Sequence, residues 1–276
     1  MDQNKDHFIL FSSFVIAALL IIISCTGLFI PDFYSRETAN WQAQSIGQDM
    51  VDLFLIIPVL IATTIFAFKK NSIALLFWGA VLLYLVYTFT IYCFDLHFNQ
   101  LFIIYCSTLG LSLYSFIYFL FLQIKQPVSF QIKTYLPVKI AGLYFIIISI
   151  LFYLLWLAEI VPPIIKNSVP KNLSKTGLLT NPVHVIDLSI FLPAIFITGM
   201  LLIRKNNVGY LLAPVMMIFF ILMDITIGCL VIVMKIKGLE ANLAVAVVMG
   251  LLVLWTLVLL IWYLKNISIA RSDNES

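Results

Sequence analysis

The sequence predicts an all-α, polytopic transmembrane bundle of eight spanning helices arranged as two parallel four-helix repeats. Hydrophobic residues make up 63% of the 276 residues and charged residues only 11%, with a mean hydropathy of +1.09. Soluble domains are about one quarter charged, so the solvent of this chain is the lipid bilayer. Eight long apolar runs alternate with short polar connections, and part of the pattern recurs after 135 residues.

The recurrence is clearest where Ser45–Asn71 aligns without a gap on Thr180–Asn206. From Asp49 to Asn71, six of 23 positions are identical. Apolar helices resemble one another by composition alone, so the aspartate, the proline and the basic pair carry the evidence. The identical pairs are Asp52 and Asp187, Leu53 and Leu188, Pro58 and Pro193, Thr63 and Thr198, Lys70 and Lys205, and Asn71 and Asn206.

The first four-helix unit is predicted over residues 1–124. A run of about 20 apolar residues crosses the ~30 Å hydrocarbon layer at ~1.5 Å per residue. Ser45 and Gln48 form a capping-box pattern at the start of the second helix. The four runs are Phe8–Ile30, Ser45–Phe68, Ser72–Phe94 and Leu101–Ile124.

The first helix also contains IISC ending at Cys25, which is similar to a lipoprotein cleavage box. Cleavage there would remove this helix. The apolar run continues past Cys25, the preceding segment holds one lysine beside two aspartates, and the repeat has a spanning helix at the matching place. These features favour retention.

A linker over residues 125–139 separates this unit from a second four-helix unit at 140–264, and residues 265–276 form a polar tail. Asn181 followed by Pro182 is typical of a helix start, because proline needs no donor in the first turn. Pro162 and Pro163 are expected to end the fifth helix. The four runs are Ile140–Val161, 181–203, Val208–Met234 and Glu240–Leu264.

The basic residues predict the orientation. With the N-terminus in the cytoplasm, ten Lys and Arg residues lie inside and six outside, as short cytoplasmic loops favour. We therefore expect a cell (plasma or inner) membrane protein with both termini cytoplasmic. An even number of helices per unit makes the repeats parallel rather than inverted.

The acidic residues are distributed unevenly under this topology. Four lie in the termini, and the inner connecting loops have none. The other nine fall in or near the outer leaflet: Asp32, Glu37, Asp49, Asp52, Asp95, Glu159, Asp187, Asp224 and Glu240.

Within this layer, Asp49-x-x-Asp52 matches His184-x-x-Asp187, and i, i+3 spacing places both members of each pair on one helix face. The helix dipole accounts for Asp49, but Asp52 and Asp187 lie beyond the first turn, where that effect acts. Asp187 is expected ~9 Å below the outer helix end. A carboxylate near the helix centre costs about 2.5–3.5 kcal/mol unless it is paired, hydrated or protonated. These four residues are therefore candidates for binding a ligand or ion.

Pro58 and Pro193 lie six residues further along and are expected to leave the carbonyls of Phe54 and Ser189 without helical donors. A carboxylate near such a carbonyl suits a cation or a hydroxylated ligand; the alternative is a packing kink without a ligand. Asp224 is the acid farthest from any loop. An intramembrane acid is a functional candidate, and the alternative is a buried carboxyl hydrogen-bonded to a neighbouring helix.

Metal ligation is a weaker hypothesis. Asp95 and His97 in YCFDLHF could hold a metal together with Cys93, although such a segment at a helix end is more typical of a wetted loop. His97 and His184 could also meet the aspartates at a divalent ion, since carboxylate and imidazole suit several metals. A haem between the two histidines is a further alternative. No cofactor is identified by the sequence.

The chain lacks the common catalytic and nucleotide-binding motifs, and its connections are too short for a soluble catalytic domain. Its net charge of +3 is dispersed, which excludes a nucleic-acid partner. The run DLSIFLPAIFITGMLLIRKNNVGYLLAPVMMIF resembles stretches of uncharacterised bacterial multi-pass integral membrane proteins. That resemblance implies no activity and transfers no functional residue.

Three functional classes follow. The first is non-enzymatic binding or transport of a small solute, ion or proton at an outer-leaflet acidic site between the two units. We expect Asp52→Asn and Asp187→Asn to abolish such a function. The second is an intramembrane enzyme or redox subunit acting on a lipid-like substrate. The third is a structural or sensory subunit without a site of its own, working with a protein partner or as a homo-oligomer.

Overall fold

The computed structural model describes residues 3–125, 128–170, 173 and 176–271. The elements alternate between long helices and short connections. In chain order they are α1 (Gln3–Phe29), α2 (Ala39–Val51), a first π-turn (Asp52–Ile56), α3 (Ile57–Phe68), α4 (Ser72–Asp95), α5 (Phe102–Lys125), β1 (Val128–Ile132), α6 (Leu136–Ile165), α7 (Pro182–Ile186), a second π-turn (Asp187–Phe191), α8 (Leu192–Ile203), α9 (Asn207–Ile236), α10 (Leu243–Asn266) and β2 (Ile267–Arg271).

Within the described residues, eight helical segments are long and apolar enough to cross a membrane, which confirms the predicted all-α class and number of spans. Two of the spans are composite: α2, the first π-turn and α3 form the second, and α7, the second π-turn and α8 form the sixth. Continuous helices are expected here because lipid offers no partner to exposed backbone groups. The arrangement of the spans as two parallel repeats stays a prediction.

The second span begins six residues earlier than predicted. Thr38 caps it by accepting a hydrogen bond from the backbone N–H of Trp41, so the expected capping box at Ser45 is wrong. Ser45 lies inside the helix and donates to the Trp41 carbonyl over 3.0 Å. Asp52 is therefore about 20 Å along the helix from its start at Ala39, far beyond the reach of the helix dipole.

The fifth span is longer than predicted at both ends. Pro137 occupies its first turn, and the helix continues through Pro162 and Pro163 to Ile165. The prediction that these prolines end the helix at Val161 is wrong by about one turn. Helix α1 begins at Gln3, five residues before the predicted Phe8, and all other described span ends lie within three residues of their predicted bounds.

The predicted linker and tail share a small sheet. Strand β1 lies after the fourth span and pairs antiparallel with β2, which follows the eighth, in a register that runs from Val128↔Arg271 to Ile132↔Ile267. The backbone N–H of Lys133 extends the ladder by donating to the carbonyl of Asn266 over 2.9 Å. Pro127, Lys171, Lys175 and residues 272–276 lie outside the described residues.

The two segments related by 135 residues have the same local backbone. Each changes from α-helix to π-turn at its aspartate, Asp52 or Asp187, and carries a proline at the second position of the next helix. Each ends in a lysine with left-handed backbone, at φ 64° for Lys70 and 56° for Lys205. These correspondences are local and describe each segment by itself.

Contacts divide the chain into two compact units. Unit 1 comprises 1–122 and 218–256, and unit 2 comprises 123–217 and 257–276. These units are defined by packing, whereas the proposed halves 1–124 and 140–264 rest on sequence similarity. The division into those halves stays a prediction.

In unit 2, helices α6 and α8 approach closely at two glycines. A Cβ on Gly199 would lie 2.8 Å from the carbonyl oxygen of Gly142 and 2.9 Å from Cγ1 of Ile146. Backbone atoms thus occupy the space of the missing side chain, and close helix contact of this kind is typical of membrane helices.

We expect Gly199→Ala to lower the free energy of unfolding by about 2 kcal/mol, because the helices must separate to admit the methyl group. Unfolding in mixed micelles with increasing SDS measures the change. Gly250→Ala is the matched control, since its Cβ would meet no atom within 4 Å. Equal stability of both variants would contradict the close packing.

Candidate functional site

Asp49 is fully buried in unit 1 and accepts a hydrogen bond at each carboxylate oxygen. The Tyr34 hydroxyl donates to Oδ2 over 2.7 Å, and the Tyr92 hydroxyl donates to Oδ1 over 3.0 Å. Gly27 of α1 makes room for this arrangement, because a Cβ there would overlap Oδ2 of Asp49. Three segments of the chain therefore converge on one carboxylate.

Tyr34 belongs to the turn between the first two spans and is only 2% exposed. Burial, and next the charge of Asp49, raise the pKa of its hydroxyl well above the ordinary value. Tyr34 therefore stays protonated and remains a donor.

Asp52 is also fully buried, one turn further along the same face. Its Oδ1 accepts from Gln48 Nε2 at 3.0 Å and from the Tyr84 hydroxyl at 3.5 Å. Gln48 also donates to the Tyr84 hydroxyl over 2.7 Å, and that hydroxyl lies 2.9 Å from Oγ1 of Thr226. One oxygen of Asp52 is thus held in a polar network that joins α2, α4 and α9.

The other oxygen of Asp52, Oδ2, is buried without a hydrogen-bond partner among the described residues. Buried polar atoms are nearly always paired with protein, water or an ion, so each exception requires an explanation. Every atom of this kind in the described part of the chain belongs to unit 1: Ser24 Oγ, Trp41 Nε1, Asp52 Oδ2, Thr64 Oγ1, Asp95 Oδ2, Ser112 Oγ and Ser115 Oγ.

No lysine or arginine of the described residues lies within salt-bridge distance of Asp49 or Asp52. The phenol hydroxyls satisfy Asp49 with two neutral donors, as suits a carboxylate. Asp52 has such donors on one oxygen only. This open oxygen is the chemical feature that distinguishes the two aspartates.

Asp224 is 7% exposed and lies on α9 in unit 1. No hydrogen bond joins its carboxyl group to another described residue. It is two positions from Thr226, and residues two apart on a helix do not share a face. Asp224 therefore stays a separate candidate.

In unit 2, the predicted pair His184 and Asp187 faces α6. Trp156 Nε1 donates to Oδ2 of Asp187 over 2.9 Å, and the Trp156 and His184 rings are 4.6 Å apart. His184 Nε2 lies 3.9 Å from Oε2 of Glu159. The matched sequence positions thus have different surroundings: neutral donors around a buried pair in unit 1, and an indole with a second carboxylate in unit 2.

Each π-turn shifts by one residue the position of the carbonyl that the following proline leaves without a donor. In the second π-turn, the Leu192 N–H donates to the carbonyl of Asp187, five residues back. In this register the carbonyl that Pro193 leaves without a donor is that of Leu188, and the prediction of Ser189 is wrong. The Tyr153 hydroxyl donates to this Leu188 carbonyl over 3.0 Å. The first π-turn has the same register, which moves the position from Phe54 to Leu53.

Asp95 is the last residue of α4, and His97 follows it in the loop after the third span. The Nδ1 and backbone N–H of His97 bond to the Glu37 carboxylate at 2.9 and 2.8 Å, and Arg36 donates to the Phe98 carbonyl over 2.7 Å. These contacts join the loop after the first span to the loop after the third span of unit 1. Across all residues with described positions, no group of three or more His, Cys, Asp or Glu side chains could hold a metal ion.

The fold and the buried carboxylates define a multi-pass helical membrane protein with an acidic centre inside unit 1. No family model, no curated protein and no solved structure matches the chain.

Proposed function

We propose that this chain is a non-enzymatic membrane protein that binds and moves a proton or a small cation, with its binding centre at Asp49 and Asp52. The observation that supports this most directly is the open Oδ2 of Asp52, which is buried without a partner in the described structure. A charge at the centre of a membrane helix costs about 2.5–3.5 kcal/mol. A bound cation or proton offsets that cost, and no lysine or arginine of the described residues lies within salt-bridge distance of either aspartate.

The hydrogen-bond donors around the centre favour a cation or proton over an anion. Tyr34, Tyr92, Gln48 and Tyr84 all direct donors at the carboxylates and so hold acceptor oxygens in fixed positions. Proton and ion pathways in membrane proteins commonly use acids held in this way. Asp224 in unit 1, and His184 and Asp187 in unit 2, are further candidates for binding a proton or cation.

The proposed orientation has both termini in the cytoplasm of a cell membrane. It places Tyr34, the Glu37–His97 contact and the start of the second span on the outer side, so the ligand enters from there. The lysine and arginine distribution supports this orientation.

Reconstitution of the full chain into liposomes tests the proposal. A pH-sensitive and a sodium-sensitive dye inside the vesicles report the decay of an imposed gradient. We expect wild-type protein to dissipate one of these gradients, and Asp52→Asn to reduce the rate at least tenfold, because the amide carries no charge. Asp32→Asn, at an exposed acid of the outer turn, is the control. Wild-type rates in Asp52→Asn would overturn the proposal.

A further inference from the structure

We propose that the ligand is a dehydrated sodium ion bound between Asp52 of the first π-turn and Ser24 of α1. This inference rests on the proposed function and names its ligand and a second binding residue. Four observations carry it: the register of α1 against the second span, two unpartnered oxygens, the charge of the site and the apolar layer beneath it.

The register of α1 against the second span follows from Gly27, because Asp49 occupies the space that a side chain at Gly27 would need. Helix α1 also contacts α2, the first π-turn and α3, so it runs along the second span in the opposite direction. Ser24 lies one turn before Gly27, and Asp52 lies one turn after Asp49. Both steps lead in the same direction from the contact, so Ser24 and Asp52 lie at one level on facing helices.

The two side chains are fully buried, and each has an oxygen without a partner among the described residues. Ser24 Oγ and Asp52 Oδ2 therefore do not hydrogen-bond each other, although they lie at the same level. An ion between them would take both oxygens as ligands. A proton on Oδ2 would instead let the carboxyl group donate to Ser24 Oγ, so the response to sodium and the response to pH separate the two ligands.

The charge of the site selects a monovalent ion. Both oxygens of Asp49 are occupied by phenol donors, so Asp52 Oδ2 is the single open carboxylate oxygen of this pair. Calcium requires six to eight oxygen ligands and usually several carboxylates. One open carboxylate with neutral oxygens is instead balanced by one positive charge.

The π-turn supplies a further neutral oxygen. Pro58 has no N–H to donate to the carbonyl of Leu53, which is five residues before it in the π-helical register. In unit 2, Tyr153 satisfies the corresponding carbonyl of Leu188; the residue 135 positions before Tyr153 is Ala18, which has no donor. Interrupted membrane helices commonly offer such carbonyls to sodium or protons.

Below this level the contact between α1 and the second span is apolar. The buried residues of α1 are aliphatic for two turns, and so are those of the first π-turn and early α3: Ile16, Ala17, Leu20, Ile23, Ile56, Ile57 and Leu60. Water is excluded from such a layer. The ion therefore reaches a closed end at Asp52 and loses its hydration shell there.

Thermal unfolding of the purified full-length protein in detergent tests the inference. NaCl replaces choline chloride at constant ionic strength and pH, with KCl and CaCl2 in parallel. We expect sodium to raise the Tm in a saturable manner and more than potassium or calcium. Ser24→Ala should weaken the apparent sodium affinity at least tenfold, and Asp52→Asn should remove the response. Ser107→Ala, at an exposed serine of α5 in the same unit, should keep wild-type affinity.

Each other outcome is decisive. Wild-type sodium affinity in Ser24→Ala, or a Tm that responds equally to all salts, overturns the sodium site. If the Tm then still depends on pH through Asp52, the ligand is a proton and the proposed function stands. If neither sodium nor pH acts through Asp52, both the inference and the proposed function fail.

Discussion

Gly27→Ala is expected to destabilise the protein by about 3 kcal/mol and to abolish ligand binding at the buried aspartates. The new methyl group would overlap Oδ2 of Asp49 and lie 2.8 Å from the Tyr34 hydroxyl. Either α1 moves away or the carboxylate loses its donor. Overpacking costs about 1–3 kcal/mol, and leaving a buried charge without its partner adds to that cost.

The measurement is the free energy of unfolding by SDS titration, together with the ligand-dependent change in Tm. Gly110→Ala is the matched control in the same unit, because a Cβ there would meet no atom within 4 Å. It should be neutral or stabilising by up to about 1 kcal/mol, since alanine is the better helix former. A wild-type Tm and ligand response in Gly27→Ala would show that α1 does not pack against Asp49 as described.

The second large effect is expected for removal of both phenol donors. Tyr34→Phe and Tyr92→Phe together leave Asp49 with no hydrogen bond in the described structure. Hydrogen bonds to charged groups contribute about 1.5–3 kcal/mol each, so the double variant should lose about 3–5 kcal/mol. Each single variant should lose roughly half as much.

A double-mutant cycle separates these hydrogen bonds from ring packing. In an Asp49→Asn background, which has no carboxylate charge, Tyr92→Phe should cost less than about 1 kcal/mol. Tyr114→Phe, at a tyrosine that is 70% exposed on α5, should change stability by less than about 0.5 kcal/mol. Equal costs of Tyr92→Phe with and without the Asp49 charge would contradict a role in holding the carboxylate.

The number of spans and the aspartates could be predicted from the sequence because both depend on local pattern. Apolar runs of membrane length are visible directly, and Asp52 and Asp187 stand out because they recur inside such runs. The paired strands β1 and β2 could not be predicted, since their partners are more than a hundred residues apart and short strands carry little pattern of their own.

The partners of the aspartates were missed for a similar reason. Tyr34 lies in a loop and Tyr92 near the end of another span, and only tertiary packing brings them to Asp49. Gly27 offered one signal, a small residue within an apolar helix, but glycines are common in membrane helices. The misplaced carbonyls at Phe54 and Ser189 came from counting in α-helical register, whereas the structure has π-turns there.

The antiparallel pairing of β1 and β2 also constrains the transmembrane topology of the chain. One strand leaves the fourth span and the other leaves the eighth, so the two emerge into the same aqueous compartment. An impermeant thiol reagent that labels a cysteine introduced at Lys133 must therefore also label one introduced at Asn266. A reporter enzyme fused after β2 therefore shows on which side of the membrane both β2 and β1 lie.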